Sequence, residues 1–293
     1  MSLTPEELKD LKLKANRIRK DIIEMVTEAG SGHTGGPLGM ADILTALYFK
    51  VLNLDPKNPD LPERDRLILS NGHICPVLYA TMARAGFFPV EELMTLRKLG
   101  SRLQGHPHRT ALPGLETTSG PLGSGLSQAS GMAYIAQKEN LPFRVYCLTS
   151  DGEHDEGNTW EAAMFAGKYK LHKLIAVMDR NNIQIDGYTE EIMPMGDIKG
   201  KYESFGWNVI EIDGHNIEQF LDAISQAQAT YEKPTMIIAH TIPGKGVSFM
   251  ENRFEWHGVP PDIQDVDGAP RKGEQAKAAL MELNKIEEEI KNG

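Results

Sequence analysis

Asp151 and Asn181 stand 30 residues apart, each just after a short apolar run: Phe143-Arg144-Val145-Tyr146-Cys147-Leu148 before the first, Leu174-Ile175-Ala176-Val177-Met178 before the second. That spacing is one strand–helix–strand unit, so the two side chains are expected to face each other across neighbouring strand ends. A carboxylate, a carboxamide oxygen and the main-chain carbonyl of Ile183 make a hard, all-oxygen set. Such a set suits Mg2+ or Ca2+ whose other positions go to phosphate oxygens and water. Gly152 lets a ligand approach the backbone closely, and the helix that follows presents its N-terminus to an anion. Each residue alone also fits a plainer role, Asp151 as the cap of a helix beginning near Gly157 and Asn181-Asn182 as a turn. The pair at this spacing favours the cation.

Four of the nine histidines lie in glycine or proline contexts: Gly32-His33, Gly72-His73, Gly105-His106-Pro107 and His257-Gly258. A neutral imidazole there can donate to phosphate or sugar oxygens and carry protons near neutral pH. One such histidine is commonly just a hydrogen-bonded loop residue; the repetition of the context is what points to function. Zinc is a poorer fit, because HExxH is absent and the four histidines have no ligand spacing. The run Gly120-Pro121-Leu122-Gly123-Ser124-Gly125 reads GxxGxG, not the GxGxxG of dinucleotide folds, and no GxxxxGK[ST] occurs.

The elements that must position these groups follow from periodicity. Thr4-Pro5-Glu6-Glu7 is a capping box, and Leu8, Leu11, Ala15, Ile18, Ile22, Met25 and Ala29 then recur at helical steps until Gly30. Another helical segment runs roughly from Met40 to Leu52. Strands are expected at 67–69, 143–148, 174–178, 207–212 and 235–239, and helices near 124–139, 157–170, 197–205 and 216–231. The alternation implies an α/β fold, a mostly parallel sheet with helices on both faces. Ligands of such sheets bind outside the carboxyl ends of the strands, where Ser70-Asn71-Gly72-His73, Ser150-Asp151-Gly152-Glu153, Asp179-Arg180-Asn181-Asn182-Ile183 and His240, then Gly244-Lys245-Gly246, fall. A long ordered loop, 243–272, precedes a final helix, 274–291. One domain, 1–293, accounts for the whole pattern.

Composition bounds the rest. A formal charge of −10 argues against a nucleic-acid-coating surface or a polybasic membrane anchor. No run approaches a membrane span, and the charged start lacks a signal-peptide core, so a soluble cytoplasmic protein is the default expectation. The two cysteines, Cys75 and Cys147, are too few for a disulfide framework and read as buried thiols.

The segment Asp151-Gly152, Glu156-Gly157, Glu161-Ala162, Asn181 and Ile183-Gln184-Ile185-Asp186-Gly187 resembles the thiamine diphosphate motif of transketolases, with Ser150 where the family's GDG has its first glycine. Ser31-Gly32-His33 before Gly36-Pro37-Leu38-Gly39, Leu69-Ser70-Asn71-Gly72-His73, and Gly105-His106-Pro107 before Gly120-Pro121-Leu122-Gly123 match in the same order. The resemblance spans about residues 10 to 260. It implies the thiamine diphosphate-binding fold, in its diphosphate domain. Asp151, Asn181 and the Ile183 carbonyl would hold Mg2+, with Ca2+ or Mn2+ as alternatives, and Gly152, His73 and His257 would contact the diphosphate. Gly120 and Leu122 would meet the pyrimidine side or the central bend. His106 would contact the donor's C1 hydroxyl, His33 and His257 would assist proton transfer, and Glu156 and Glu161 would lie near a dimer interface.

The reaction implied is transfer of a two-carbon ketol unit from a ketose phosphate to an aldose phosphate, in carbohydrate metabolism such as the pentose phosphate route. The resemblance covers only the first of the family's three domains. It therefore implies an N-terminal subunit that self-associates and needs a C-terminal subunit carrying the pyrimidine-binding domain, in a heterotetramer. Deoxyxylulose-phosphate synthase, the α subunit of a 2-oxo acid dehydrogenase, and a non-catalytic regulatory paralogue are the alternatives.

Overall fold

The computed structural model describes residues 3–293. Helix α1 is Pro5–Ala29. The Thr4 hydroxyl accepts from the Glu7 N–H at 3.2 Å, the Glu7 carboxylate accepts from the Thr4 N–H at 2.9 Å, and Gly30 at φ 59° ends the helix. Short α2 (Gly35–Gly39) and α3 (Ala41–Ala46) follow, the latter running on as a π-helical turn over Leu47–Val51. The helical segment expected from roughly Met40 to Leu52 is thus present, with its last turn wound as a π-helix. Strand β1 (Arg66–Leu69) leads to α4 (Cys75–Arg84), which the sequence did not announce. Residues 75–83 of α4 are all buried, so the helix has no polar stripe to set a period.

Then come α5 (Ser124–Lys138), β2 (Val145–Ser150), α6 (Gly157–Lys168) and β3 (Leu174–Arg180). A two-residue hairpin pair, β4 (Ile183–Gln184) and β5 (Gly187–Tyr188), precedes α7 (Thr189–Ile192) and α8 (Ile198–Ser204). The chain finishes with β6 (Asn208–Asp213), α9 (Ile217–Ala229), β7 (Thr235–His240) and α10 (Gln275–Asn292). Strand β2 starts two residues later than expected. Arg144 is held instead by its N–H to Asp65 at 2.8 Å, and the Phe143 ring lies under the Arg66 guanidinium.

The main sheet has the order β1-β2-β3-β7-β6, and every neighbouring pair is parallel. Alternate strand residues feed two separate cores. Tyr146, Leu148, Ile175, Val177 and Ile237 pack with α1, α3, α4, α9 and α10. Val145, Cys147, Leu174, Ala176, Met178 and Met236 pack with α5, α6 and α8. Both cysteines are buried and free. No helix among the described residues is long and apolar enough to cross a membrane.

Candidate active site

Strands β2 and β3 are adjacent, with Ser150 opposite Asp179 in register. The next residues, Asp151 and Asn181, therefore converge at the carboxyl edge of the sheet, as their spacing predicts. Asp151 does not cap α6. Its Oδ1 accepts from the Gly152 N–H at 2.8 Å, starting a 3-10 turn over Gly152–Asp155. Its Oδ2 accepts from the Asn182 N–H at 2.6 Å and from Arg180 Nη1 at 3.2 Å. Burial pushes the Asp151 carboxyl up to about 6, against the pull of those N–H groups and of Arg180.

Asn181 is oriented by Asp179, which the sequence pattern places at a strand end without giving it a role. Asn181 Nδ2 donates to Asp179 Oδ2 at 2.8 Å, and Asn181 Oδ1 accepts from the Ile183 N–H at 3.1 Å. The other Asp179 oxygen accepts from the Thr241 hydroxyl. Asp179 is fully buried, and burial, reinforced by Asp151, pushes its carboxyl up to about 7. An acidic residue inside an otherwise apolar strand end was the available signal. Glu153 likewise falls in the turn after a strand, but spacing gives it no role. Its buried carboxylate accepts from the Ser70 hydroxyl, from the Gly123 N–H at 2.7 Å and from the Ser150 N–H at 3.2 Å. It ties the end of β1, the glycine-rich loop and the end of β2 together.

Above these groups opens a cleft of about 430 Å³. His33, His73, His106 and His257 line it, together with Gly120, Leu122, Gly152, Asn181 and Ile183. All four loop histidines singled out from the sequence thus meet in one place. The rings of His33 and His73 are 4.8 Å apart, and each is 5.4 Å from His257. Burial pushes His33 down to about 3, with His257 and Arg97 adding to the effect, and His257 down to about 4. His73 is held well below the usual imidazole range by burial and by the other two rings. Burial and Arg97 also lower His106. The rings are therefore neutral at physiological pH, each with one nitrogen to donate and one to accept. The Nδ1 atoms of His33 and His257 are buried without a partner.

Glu156 and Glu161 are both exposed, at the start and on the outer side of α6, and neither lines the cleft.

These residues fit an anionic cofactor carried by a hard cation. The Asp151 carboxylate, the Asn181 oxygen and the Ile183 carbonyl are all oxygen donors of the right class. Burial raises the carboxyls of Asp151 and of Asp179 beside it, and a divalent ion would offset that cost. A Cβ on Gly152 would reach the Gln184 side chain at 3.1 Å, so glycine there keeps the cleft floor open. The unpartnered nitrogens of His33 and His257 are free for ligand oxygens.

Residues 11–279 match the family model described as transketolase, thiamine diphosphate binding domain. The chain is 45% identical to the 6-deoxy-6-sulfo-D-fructose transketolase subunit of Clostridium sp. (strain MSTE9), over 96% of this chain and 98% of that one. It is 39% identical to an apulose-4-phosphate transketolase subunit from Phocaeicola vulgatus (strain ATCC 8482), over 91% and 94%. With the transketolase of Homo sapiens it shares 40% identity over 87% of this chain, but spans only 40% of that relative. Among solved structures, transketolase from Leishmania mexicana superimposes with a TM-score of 0.82 at 33% identity, over 96% of this chain and 46% of that one. The parallel sheet, the cleft at its carboxyl edge and these likenesses agree: the chain belongs to the transketolase family, as its thiamine diphosphate-binding domain.

Proposed function

We propose that this chain is the N-terminal subunit of a two-chain transketolase, and that the cleft holds the diphosphate end of thiamine diphosphate with a divalent cation, Mg2+ in the first instance. The observation that carries the reading is the meeting, in one cleft, of four neutral histidines with Asn181 and Ile183, directly over the buried Asp151. When bound, the cofactor supplies the carbon centre that takes up the two-carbon ketol unit and stores its electrons.

The chain's own residues do the positioning. Asp151, Asn181 Oδ1 and the Ile183 carbonyl hold the cation, with Asp179 fixing which end of the Asn181 amide faces it. The Gly152 N–H, His73 and His257 receive diphosphate oxygens. Gly120 and Leu122, on the loop anchored by Glu153, bound the cofactor's bend. His106 donates to the C1 hydroxyl of the donor sugar. His33 and His257, kept neutral by burial, hold or pass a proton at substrate oxygens without first losing one to water.

The substrate class is a ketose donor and an aldose acceptor, each carrying a terminal phosphate or similar anion. Both subunit-length relatives are named for sugars of that description. The cytoplasm, with its sugar phosphates, is the compartment this reading implies.

Support for a partner chain comes from the surface. Ile185, on the cleft rim, is 68% exposed, and Tyr188, Ile192 and Met193 beside it are exposed too. Ile135, Met164, Phe165 and Tyr169 are exposed on or just after α5 and α6, the latter also carrying Glu161. Apolar groups at a cleft mouth and along two helices fit burial against further protein. We assign the first patch to a subunit bearing the pyrimidine-binding domain, and the second, with Glu156 and Glu161, to self-association within a heterotetramer.

The test is a ketol-transfer assay with the purified chain alone, and then with a pyrimidine-domain subunit encoded beside it. Activity only in the mixture is expected. Full activity from this chain alone, shown by mass spectrometry to be free of any partner, would overturn the two-chain reading.

A further inference from the structure

Behind the cleft, a hydrogen-bonded relay joins four segments far apart in sequence. Arg19 of α1 donates through Nε to the Leu38 carbonyl at 3.0 Å and through Nη1 and Nη2 to the two oxygens of Asp42 in α3. Asp42 Oδ2 also receives His215 Nδ1, at 2.9 Å, from the turn after β6. On the other side of the ring, His215 Nε2 accepts from the Ile242 N–H at 2.8 Å, just beyond β7. Because Nε2 accepts, it carries no proton, so the proton sits on Nδ1 and points at Asp42. The ring is a neutral spacer with one defined tautomer.

What the relay holds is the chain that leaves β7. Two residues after Ile242 the path closes on α2: the Gly244 N–H donates to the Gly35 carbonyl at 2.8 Å. A Cβ on Gly39 would meet the Ile242 carbonyl oxygen at 3.0 Å, so the two backbones lie nearly in contact. Farther along, the Thr34 N–H donates to the His257 carbonyl at 3.3 Å and the Thr34 hydroxyl to the Val259 carbonyl at 2.9 Å. His33 and His257 are therefore carried by two loops stitched to each other, and the stitching begins at His215.

We propose that His215 is a positioning residue: with Asp42 and Arg19 it fixes the segment leaving β7 against α2, and so sets how His257 faces His33 across the cleft. It touches no ligand and lines no part of the cleft. The significance for the reaction rests on the reading of His257 as a site residue. The measurements below report on tautomer and loop order, so either reading can fail without the other.

The experiment uses the full chain labelled with 15N. In the wild type, His215 should show a protonated Nδ1 and an unprotonated, hydrogen-bonded Nε2. His215→Ala should speed amide exchange at Ile242 and Gly244 about 5-fold or more, the worth of one hydrogen bond. It should also move the ring resonances of His257 and His33. His215→Gln, whose amide offers one acceptor and one donor as the ring does, should restore most of both. A protonated Nε2 in the wild type would overturn the proposal without any variant. So would unmoved His33 and His257 resonances in a folded His215→Ala chain, or a His215→Gln chain as disturbed as His215→Ala, which would mean that the ring only fills space.

Discussion

Asp42 and Asp179 are both buried and both fully engaged in hydrogen bonds, yet they are driven in opposite directions. Burial works to raise Asp42, but the Arg19 guanidinium and the His215 ring bring it below the ordinary carboxylate range. Asp179 has only a hydroxyl and an amide against it, and is pushed up to about 7. Asp151 is intermediate: Arg180 reaches it at 3.2 Å but also pairs with Glu190 at 2.6 Å, and the carboxyl stays raised. One region is electrostatically complete as the chain folds. The other is left short of positive charge by its own residues, as expected of a floor on which a cation is to sit.

Removing one partner from the complete region should have the largest effect. Asp42→Ala leaves Arg19 buried without its carboxylate and is expected to cost about 3–5 kcal/mol of stability, measured by urea unfolding. A loss under about 1 kcal/mol would show that the two regions do not differ as described. At the incomplete region the effect should instead appear in binding. Asp151→Ala in the assembled enzyme is expected to weaken cofactor affinity about 100-fold or more, since even residues behind a metal's ligands are worth 10- to 100-fold. Titration calorimetry with and without excess Mg2+ decides this, and unchanged affinity would remove Asp151 from the site.

His106 sharpens the picture from within the cleft. His106→Ala should slow the donor half-reaction roughly 10- to 150-fold, the worth of about 1.5–3 kcal/mol for a hydrogen bond to a polarised group, with cofactor affinity intact. Lost affinity with normal chemistry at saturation would reverse the assignment. The smallest effect is on pH dependence. His33 and His257 are lowered to about 3 and about 4, against 6.5 for an unperturbed imidazole. Between about pH 6.5 and pH 4 the unfolded chain binds more protons than the folded one at these sites, so their contribution makes stability fall as pH falls. Replacing both by Ala should flatten that limb of a thermal-midpoint profile. An unchanged slope would mean that the rings are not held neutral.

Much of this was legible in the sequence, for identifiable reasons. The five strands of the main sheet announce themselves because they are apolar, short and bounded by turns. The pairing of Asp151 with Asn181 follows from one crossover length. The four histidines are recognisable by their glycine neighbours. What escaped is what lacks a local pattern. Helix α4 is buried all round and has no periodicity, and β4 and β5 are two residues each. Asp179 and Glu153 act by holding other residues, Asn181 in one case and the Gly123 loop in the other. A supporting role of that kind depends on contacts between distant segments, which spacing alone does not encode. The relay through His215 is the extreme case, since Asp42 and His215 are 173 residues apart.

The partition of the interior by the sheet has a consequence for how such a protein can change over evolutionary time. The two cores share strands but no side chains, and substitutions that share no neighbours combine nearly additively. Substitutions in the core beneath α5 and α6 should therefore leave the packing of the α1–α3–α9 side, which braces His33 and His257, nearly undisturbed. The cleft itself draws on both sides, with His33 and His257 carried on the α2 side and Gly120 and Leu122 on the loop that leads into α5.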